Sequence, residues 1–251
     1  MTADNGTVTT TIGGGIATIS FAHPKSNSLP GSLLADLAAA VHASGDDRTV
    51  RVIILRSEGT GAFCAGASFA ELKAIADEGA GKKFFMGFAT LILAMIRCPK
   101  FIVTRVHGKA VGGGVGIVAA SDYVLATEVA SVRLSELAVG IGPFVVGPCI
   151  ERKIGLAAFS AMAVDADWRD ARWAETHGLY ASIHQTIDEL DSTVARIAQR
   201  LVTSNPDAMA GVKIGFWAGT EKWDELLEAR AESSGSLVLS DFARDAIAGR
   251  G

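Results

Sequence analysis

Two glycine-rich segments and one glutamate have the residue types and spacing best suited to chemistry in this chain of 251 residues. The first segment, Gly112-Gly113-Gly114, stands between an apolar strand pattern and an apolar helix pattern. Glycine lets a ligand approach the backbone closely, and the unpaired N–H groups at the start of a helix carry a partial positive charge. The segment can therefore stabilise a negatively charged oxygen, although a tight turn or close helix packing is the simpler explanation.

A second small-residue segment, residues 59–68, joins another apolar strand to a helix. We predict the backbone N–H group of Ala65 as a second donor to such an oxygen. Ser68 and Glu71 have the S-x-x-E spacing of a capping box, so a well-capped helix after a turn is the alternative explanation. Two such segments, each following an apolar strand, favour the functional interpretation more than either one alone.

Glu136 stands out among the acidic residues because its neighbours in the sequence are mostly small or apolar. Most glutamates lie on the solvated surface. A carboxyl group in apolar surroundings, however, can have a raised pKa and act as a general acid or base. The chain contains no GxGxxG, GxxxxGK[ST] or GxSxG motif, so dinucleotide, P-loop and serine-hydrolase sites are not supported.

The elements that must position these residues follow an α/β pattern. A β-hairpin is predicted over residues 8–20, and beyond Trp168 the strand patterns stop and helices with many charges follow. Further strands are predicted at 50–55, 101–106, 122–126 and 131–134. Helices are predicted at 31–43, 69–77, 84–96, 115–120, 183–201, 207–216 and 221–240. Alternation of strands and helices up to about residue 165 is typical of an α/β protein.

The composition excludes several classes of protein. With 49% apolar residues the chain is not disordered, and a net charge of −4 does not favour nucleic-acid binding. Three widely spaced cysteines, at 64, 98 and 149, suggest neither a disulfide framework nor a zinc site. The apolar stretch of residues 84–96 is too short for a membrane span, and residues 1–4 show no export signal. We therefore expect a cytoplasmic protein without a membrane partner.

Taken together, these segments resemble the crotonase family of enoyl-CoA hydratases and isomerases. The similarity covers nearly the whole chain in a consistent order and is specific for the family rather than for a substrate. It is carried by residues 52–55 with Gly59, Phe63, Ala65, Gly66 and Ala67, by residues 106–114 and 121–123, and by Ser135, Glu136, Gly140 and Pro143, with a shorter likeness at residues 23–29.

The resemblance implies an α/β fold, a crotonase-like spiral of ββα units with a helical C-terminal trimerisation region. Residues 1–195 would form the core with the active site, and residues 196–251 would form the oligomerisation region. The expected partners are an acyl-CoA thioester as substrate and further copies of the chain, as a homotrimer or as a hexamer of two trimers. No metal and no separate cofactor are expected, because coenzyme A is part of the substrate.

For the site, the resemblance implies that the thioester oxygen lies between the N–H groups of Ala65 and Gly113, with Glu136 as the acid/base. Family hydratases carry a second glutamate two positions after the third glycine, where this chain has Gly116. One carboxylate suffices to move a proton between two carbons, so isomerisation of a double bond is favoured. The predicted substrate-binding residues are Lys25, Gly66, Ala67, Phe84, Phe88, Gly112 and Phe144, and Phe85 and Met86 are further candidates for the acyl pocket.

Two alternatives remain open at this point. The first is a hydratase or C–C lyase that activates water with Glu136, alone or with an acid such as Glu71 or Asp122. The second is a non-catalytic CoA-binding or assembly protein, an idea that Gly116 encourages and Glu136 opposes.

Overall fold

The fold begins with the predicted hairpin. The computed structural model describes residues 6–249, so residues 1–4, examined above for an export signal, lie outside the described residues. Strands β1 (Thr7–Gly13) and β2 (Ile16–Ala22) pair antiparallel, and the turn between them uses positive φ angles at Gly14 and Gly15. Side chains rarely adopt such angles, which explains why glycines stand there.

A six-stranded sheet continues from this hairpin in the order β1-β2-β3-β4-β6-β9. All pairs after the first are parallel. Its other strands are β3 (Val52–Ser57), β4 (Phe101–Val106), β6 (Tyr123–Thr127) and β9 (Ser182–His184). The strands predicted at 50–55, 101–106 and 122–126 are thus present with small shifts of their ends.

A smaller sheet of short strands forms a second layer in the order β5-β7-β8. Its strands are β5 (Ala110–Val111), β7 (Ser131–Arg133) and β8 (Arg169–Asp170). An isolated parallel bridge between Cys64 and Ala110 extends this layer. A long strand, a short strand or bridge and then a helix therefore recur three times, which is the predicted repeat of ββα units.

Ten helices are present among residues 6–249. They are α1 (Gly31–Asp46), α2 (Phe69–Ala74), α3 (Glu78–Arg97), α4 (Gly113–Ala120), α5 (Gly147–Asp165), α6 (Ala171–Thr176), α7 (Ile187–Val202), α8 (Pro206–Phe216), α9 (Trp223–Leu237) and α10 (Asp241–Ala248). A short 3-10 helix occupies Leu137–Val139.

The expectation that strands stop beyond Trp168 is wrong. Strands β8 and β9 both follow this residue, and β9 completes the edge of the large sheet beside β6. Both strands are only two or three residues long, so they carry too few residues to show a period of two.

Helix α3 forms part of the core. By length and composition it is the one helix among the described residues that could cross a membrane, but ten of its residues are buried inside the protein. It packs against α1 on one side and against α9 on another. This degree of burial is typical of a helix in the core of a folded protein.

The C-terminal helices are closely joined to the rest of the chain. The predicted boundary at residue 195 lies inside α7, and this helix covers one face of the large sheet. Helix α9 crosses α3 so closely that a Cβ atom added at Gly81 would lie 2.6 Å from the carbonyl oxygen of Gly235. The helical region predicted beyond residue 195 is present, while its role in oligomerisation stays a prediction.

The crossing of α3 and α9 yields a prediction about stability. Replacing Gly81 by alanine places a methyl group against the backbone of α9 and should lower the free energy of unfolding by about 1–3 kcal/mol. Gly211 in α8 has no atom within 4 Å of an added Cβ, so Gly211→Ala is the matched control. It should be neutral or stabilising by up to about 1 kcal/mol. Thermal melts of both variants measure the difference, and equal melting temperatures would contradict the packing described here.

Candidate active site

The two glycine-rich loops meet backbone to backbone. The N–H group of Cys64 donates to the carbonyl of Lys109 at 3.0 Å, and that of Val111 donates to the carbonyl of Cys64 at 2.9 Å. A Cβ atom at Gly66 would lie 2.7 Å from the carbonyl oxygen of Val111, and the φ angle of Gly66 is +86°. Only glycine fits there, and its presence lets the two loops lie side by side.

The amide predicted as the first donor is already used. The N–H group of Ala65 donates to the carbonyl of Ser26 at 3.1 Å, so it is not available to a ligand. The turn that presents this carbonyl is held by Asn27, whose side-chain amide donates to the carbonyls of Glu58 and Ala62 at 2.9 Å each. The prediction of Ala65 as a donor is therefore corrected, although Ala65 does line the cavity.

Two other amides have no acceptor within residues 6–249. The residues flanking Ala67 bond to Leu29, since Gly66 accepts from the Leu29 N–H group and Ser68 donates to the Leu29 carbonyl. In this alternating pattern the N–H group of Ala67 points to the opposite side, toward the cavity. The N–H group of Gly113 is equally unpaired because it begins helix α4. The Cβ position of Gly66 is 3.7 Å from the Gly113 nitrogen, which places the two loops in contact here.

Gly112 lets Glu136 approach the start of α4. Its φ angle is +54°, its N–H group donates to the carbonyl of Arg133 at 2.9 Å, and an added Cβ would lie 3.0 Å from Oε1 of Glu136. A side chain at this position would push the carboxyl group away. The carboxyl therefore lies against the same loop that carries the Gly113 amide.

Burial dominates the electrostatics of Glu136. Its Oε2 atom is buried and has no hydrogen-bond partner among residues 6–249. Loss of solvent raises the pKa of Glu136 to about 7, against a smaller opposing effect of the backbone N–H groups of Glu136 and Ser135. The group can therefore both accept and donate a proton near neutral pH.

A largely apolar cavity surrounds these groups, with about 560 Å³ of empty space including its mouth. Among the described residues that line it, Glu136 is the single charged one. Phe88 and Phe144 line it as predicted, and so does Phe85. The cavity is also lined by Ala65, Gly66, Ala67, Gly112 and Gly113.

Three of the predicted residues, Phe84, Met86 and Lys25, lie outside this cavity. Phe84 and Met86 face a separate groove between α1 and α3, because residues one position apart on a helix point in different directions. The prediction that Phe84 lines the acyl pocket is thus corrected in favour of Phe85. Lys25 is exposed and does not line the cavity, but it belongs to the turn whose Ser26 carbonyl holds the Ala65 loop.

The space beside Gly116 is filled. A Cβ atom at Gly116 would lie 2.5 Å from Cγ1 of Val146 and 2.9 Å from its Cβ. Val146 also lines the cavity. The position at which family hydratases carry their second glutamate is therefore occupied here by a valine side chain from another segment.

The other acids considered for catalysis serve elsewhere. Oε2 of Glu71 accepts from the N–H group of Gly31 at 2.7 Å, which ties α2 to the start of α1. Ser68 caps α2 by accepting from the Glu71 N–H group, so the predicted capping box is only half formed. Asp122 is buried in an ion pair with Lys213 at 2.7 Å and also accepts from the N–H group of Ile102. Neither acid lines the cavity.

Sequence reasoning missed several residues that line the cavity, and Val146 and Ser234 are the two that matter most for its chemistry. Val146 precedes α5, a helix that was not predicted, and Ser234 reaches the cavity from α9. Their residue types do not indicate a role in the site, because valine and serine are common in helical regions. Asn27, by contrast, stands in the segment of residues 23–29 that already resembled the family.

Comparison with known proteins identifies the family. The model of the enoyl-CoA hydratase/isomerase family matches residues 11–241, and the chain belongs to this family. A probable enoyl-CoA hydratase of Rhodobacter capsulatus is 29% identical over 238 residues, covering 93% of this chain and 90% of that protein. The rat mitochondrial methylglutaconyl-CoA hydratase is 30% identical over 199 residues, which are 78% of this chain and 63% of the rat protein.

Another relative carries a different reaction in its name. It is the (7aS)-7a-methyl-1,5-dioxo-2,3,5,6,7,7a-hexahydro-1H-indene-carboxyl-CoA hydrolase of Mycobacterium tuberculosis. It is 29% identical over 204 residues, which are 79% of each chain. Family membership makes this chain an acyl-CoA-processing enzyme, while the relatives differ in the reactions for which they are named.

Solved structures confirm the fold. An enoyl-CoA hydratase from Bacillus halodurans superposes with a TM-score of 0.90 at 21% identity, covering 96% of this chain and 99% of that one. An enoyl-CoA hydratase from Mycobacterium avium gives a TM-score of 0.86 at 25% identity, covering 97% and 95%. The predicted α/β spiral with a helical C-terminal region is therefore correct.

The environment of Glu136 yields a prediction about stability and pH. Its pKa is about 7 in the folded chain and near the ordinary 4.5 when unfolded, so the folded state binds more protons between these values. The contribution of Glu136 to the free energy of unfolding therefore falls as pH rises from 4.5 to 7, by about 3 kcal/mol in all. Glu136→Gln removes this loss and should be more stable than the wild type at pH 8.

Urea unfolding of both proteins at pH 5 and pH 8, at equal protein concentration, measures the effect. The stability gained by the substitution should be clearly larger at pH 8 than at pH 5. An equal gain at both pH values would mean that Glu136 titrates normally.

Proposed function

We propose that this enzyme moves a carbon–carbon double bond in an enoyl-CoA thioester, with Glu136 as the single acid/base. The donors to the thioester oxygen are the N–H groups of Ala67 and Gly113. One observation carries the proposal: in the part of the chain that the structure describes, a single carboxyl group lines the cavity, and it lies beside two unpaired amides from separate loops. The thioester is the substrate class that the family supports.

The proposed reaction needs one base and one oxyanion site. The Glu136 carboxylate removes a proton from the α-carbon of a 3-enoyl thioester, and the electron pair of that C–H bond spreads into a dienolate. The negative charge on the thioester oxygen is stabilised by the two N–H donors, each worth about 2.7–4 kcal/mol of barrier. The carboxylic acid then returns the proton to the γ-carbon, which leaves the double bond between the α- and β-carbons.

The pKa of Glu136 suits both halves of this transfer. A group with a pKa of about 7 is present in both protonation states at neutral pH, and so it can remove a proton and give it back. The apolar walls of Phe85, Phe88 and Phe144 limit access of water to the dienolate.

Addition of water is the second candidate reaction. The names of two relatives favour it, since the matching proteins of Rhodobacter capsulatus and rat are both named hydratases. Val146 argues against it, because the valine fills the space in which a second carboxylate would hold water. A buried water also needs two to four polar partners, and among residues 6–249 the polar side chains that line the cavity, apart from Glu136, are those of Ser135 and Ser234.

The proposal extends to coenzyme A binding, location and assembly. Lys25 would contact the phosphates of coenzyme A near the loop that it adjoins. The chain would act in the cytoplasm, without a separate cofactor, and three or six copies would assemble through the helical C-terminal region.

The role of Glu136 is tested by Glu136→Gln, which keeps the shape and removes the base. Isomerisation of a 3-enoyl-CoA should fall by about 10²–10⁴-fold, and wild-type kcat/KM should rise with pH and level off above about 7. Exposed Glu151 on α5 gives the matched control Glu151→Gln. Unchanged turnover in Glu136→Gln would refute the role, and turnover of crotonyl-CoA alone would favour hydration. Binding without turnover on any thioester would favour a non-catalytic protein.

The role of Val146 is tested by restoring the missing carboxylate. In the double variant Gly116→Glu/Val146→Gly the valine no longer blocks the new side chain, so hydration of crotonyl-CoA should rise by at least about tenfold over the wild type. The matched control is Gly116→Gln/Val146→Gly, which has the same shape without the acid. Equal hydration rates in the two double variants would show that a second carboxylate is not what the site lacks.

A further inference from the structure

The wall of the cavity contains a polar side chain that the proposed reaction does not use. Ser234 on α9 lines the cavity and is only 1% exposed. Its Oγ atom makes no hydrogen bond within residues 6–249, whereas Oγ of the neighbouring Ser233 donates to the carbonyl of Ala229 at 3.0 Å. A serine hydroxyl group at the wall of the cavity can donate a hydrogen bond to a partner that enters the cavity.

An unpaired cation lies one helical turn before Ser234. The guanidinium carbon of Arg230 is 5.9 Å from the ring centroid of Phe144, which lines the cavity. No carboxylate of residues 6–249 lies within 4.0 Å of the Arg230 nitrogens. Stacking on an aromatic ring uses the face of a guanidinium and leaves its N–H edges free.

Of the four acids on the same helix, three pair with other cations, and the fourth, Glu225, lies five positions before Arg230 and forms no ion pair with it. Asp224 pairs with Arg97, and Glu228 and Glu232 both pair with Lys82 of α3. The residues three and four positions from Arg230 are Leu226, Leu227, Ser233 and Ser234, none of which is acidic. The charge of Arg230 is therefore available to an anion from outside the chain.

We propose that α9 makes the acyl pocket selective for thioesters whose acyl chain ends in a carboxylate. Ser234 donates a hydrogen bond to this distal carboxylate, and Arg230 swings from the Phe144 ring to supply the opposite charge. The inference rests on the proposed function only in that it places the acyl group in the same cavity. It does not depend on which reaction Glu136 performs.

A carboxylate explains the pair of residues better than an uncharged acyl end. An alkyl end would leave the Ser234 hydroxyl buried without a partner, and it would make no use of Arg230. A carboxylate accepts from both, and a hydrogen bond with at least one charged partner is about twice as strong as one between neutral groups. The phosphates of coenzyme A are the other anions of the ligand, and the experiment below separates the two sources.

The test compares the binding of two unreactive thioesters of equal chain length, glutaryl-CoA and pentanoyl-CoA, by titration calorimetry. The wild type should bind glutaryl-CoA at least about tenfold more tightly. Arg230→Gln and Ser234→Ala should each reduce this preference several-fold, and Arg230→Lys should retain part of it. The matched controls are Ser233→Ala on the same helix and Arg196→Gln at an exposed position of α7, which should keep the full preference.

The outcomes distinguish this inference from the proposed reaction. Equal affinity of the wild type for the two thioesters would overturn the inference. Equal weakening of both by Arg230→Gln would also overturn it, because Arg230 would then contact coenzyme A itself. A retained preference for glutaryl-CoA in an enzyme that does not isomerise would leave the inference standing and refute the proposed function.

Discussion

The site depends on the close approach of two backbone segments. The bonds between Cys64 and the strand at Ala110 hold the loops side by side, and the absence of a side chain at Gly66 lets the carbonyl of Val111 lie where a Cβ would be. This approach leaves the N–H groups of Ala67 and Gly113 next to each other and unpaired within the described chain. Unpaired amides in the interior of a protein lower its stability. A ligand oxygen that accepts hydrogen bonds from these two N–H groups would offset that loss.

A carboxyl group is held beside the same two loops. Gly112 adopts a φ angle open to glycine and so lets Glu136 lie against the loop that carries Gly113. Burial then raises the pKa of the carboxyl group into the neutral range. The Glu136 carboxyl group and one of the two donors, the N–H group of Gly113, are thus held at the same loop.

Much of this arrangement could be predicted from the sequence, because it is encoded in local patterns. The hairpin turn, the apolar strands at 52–57 and 101–106 and the isolated Glu136 all carry signals within a few residues of themselves. The choice between Ala65 and Ala67 as a donor does not, since alternate amides of an extended segment point in opposite directions. Their roles are decided by the turn at Ser26, some forty residues away in the chain.

The same dependence on contacts between distant parts of the chain explains the other corrections. Phe84 and Phe85 are neighbours of one type, and only the rotation of α3 against α1 and α9 decides which of them faces the cavity. Strand β9 is three residues long and exists because β6 offers it an edge. Val146, which precedes α5, fills the space beside Gly116 of α4. No sequence pattern around either residue predicts this contact.

The cavity is built from parts of the chain as distant as Ala65 and Ser234. No half of the protein therefore contains a complete binding surface, and the pocket comes into being only when α9 has docked on α3. Any thioester that occupies it must favour the fully assembled chain over every partly folded form. A bound thioester would therefore contact both the first ββα unit and helix α9, and would stabilise their packing against each other.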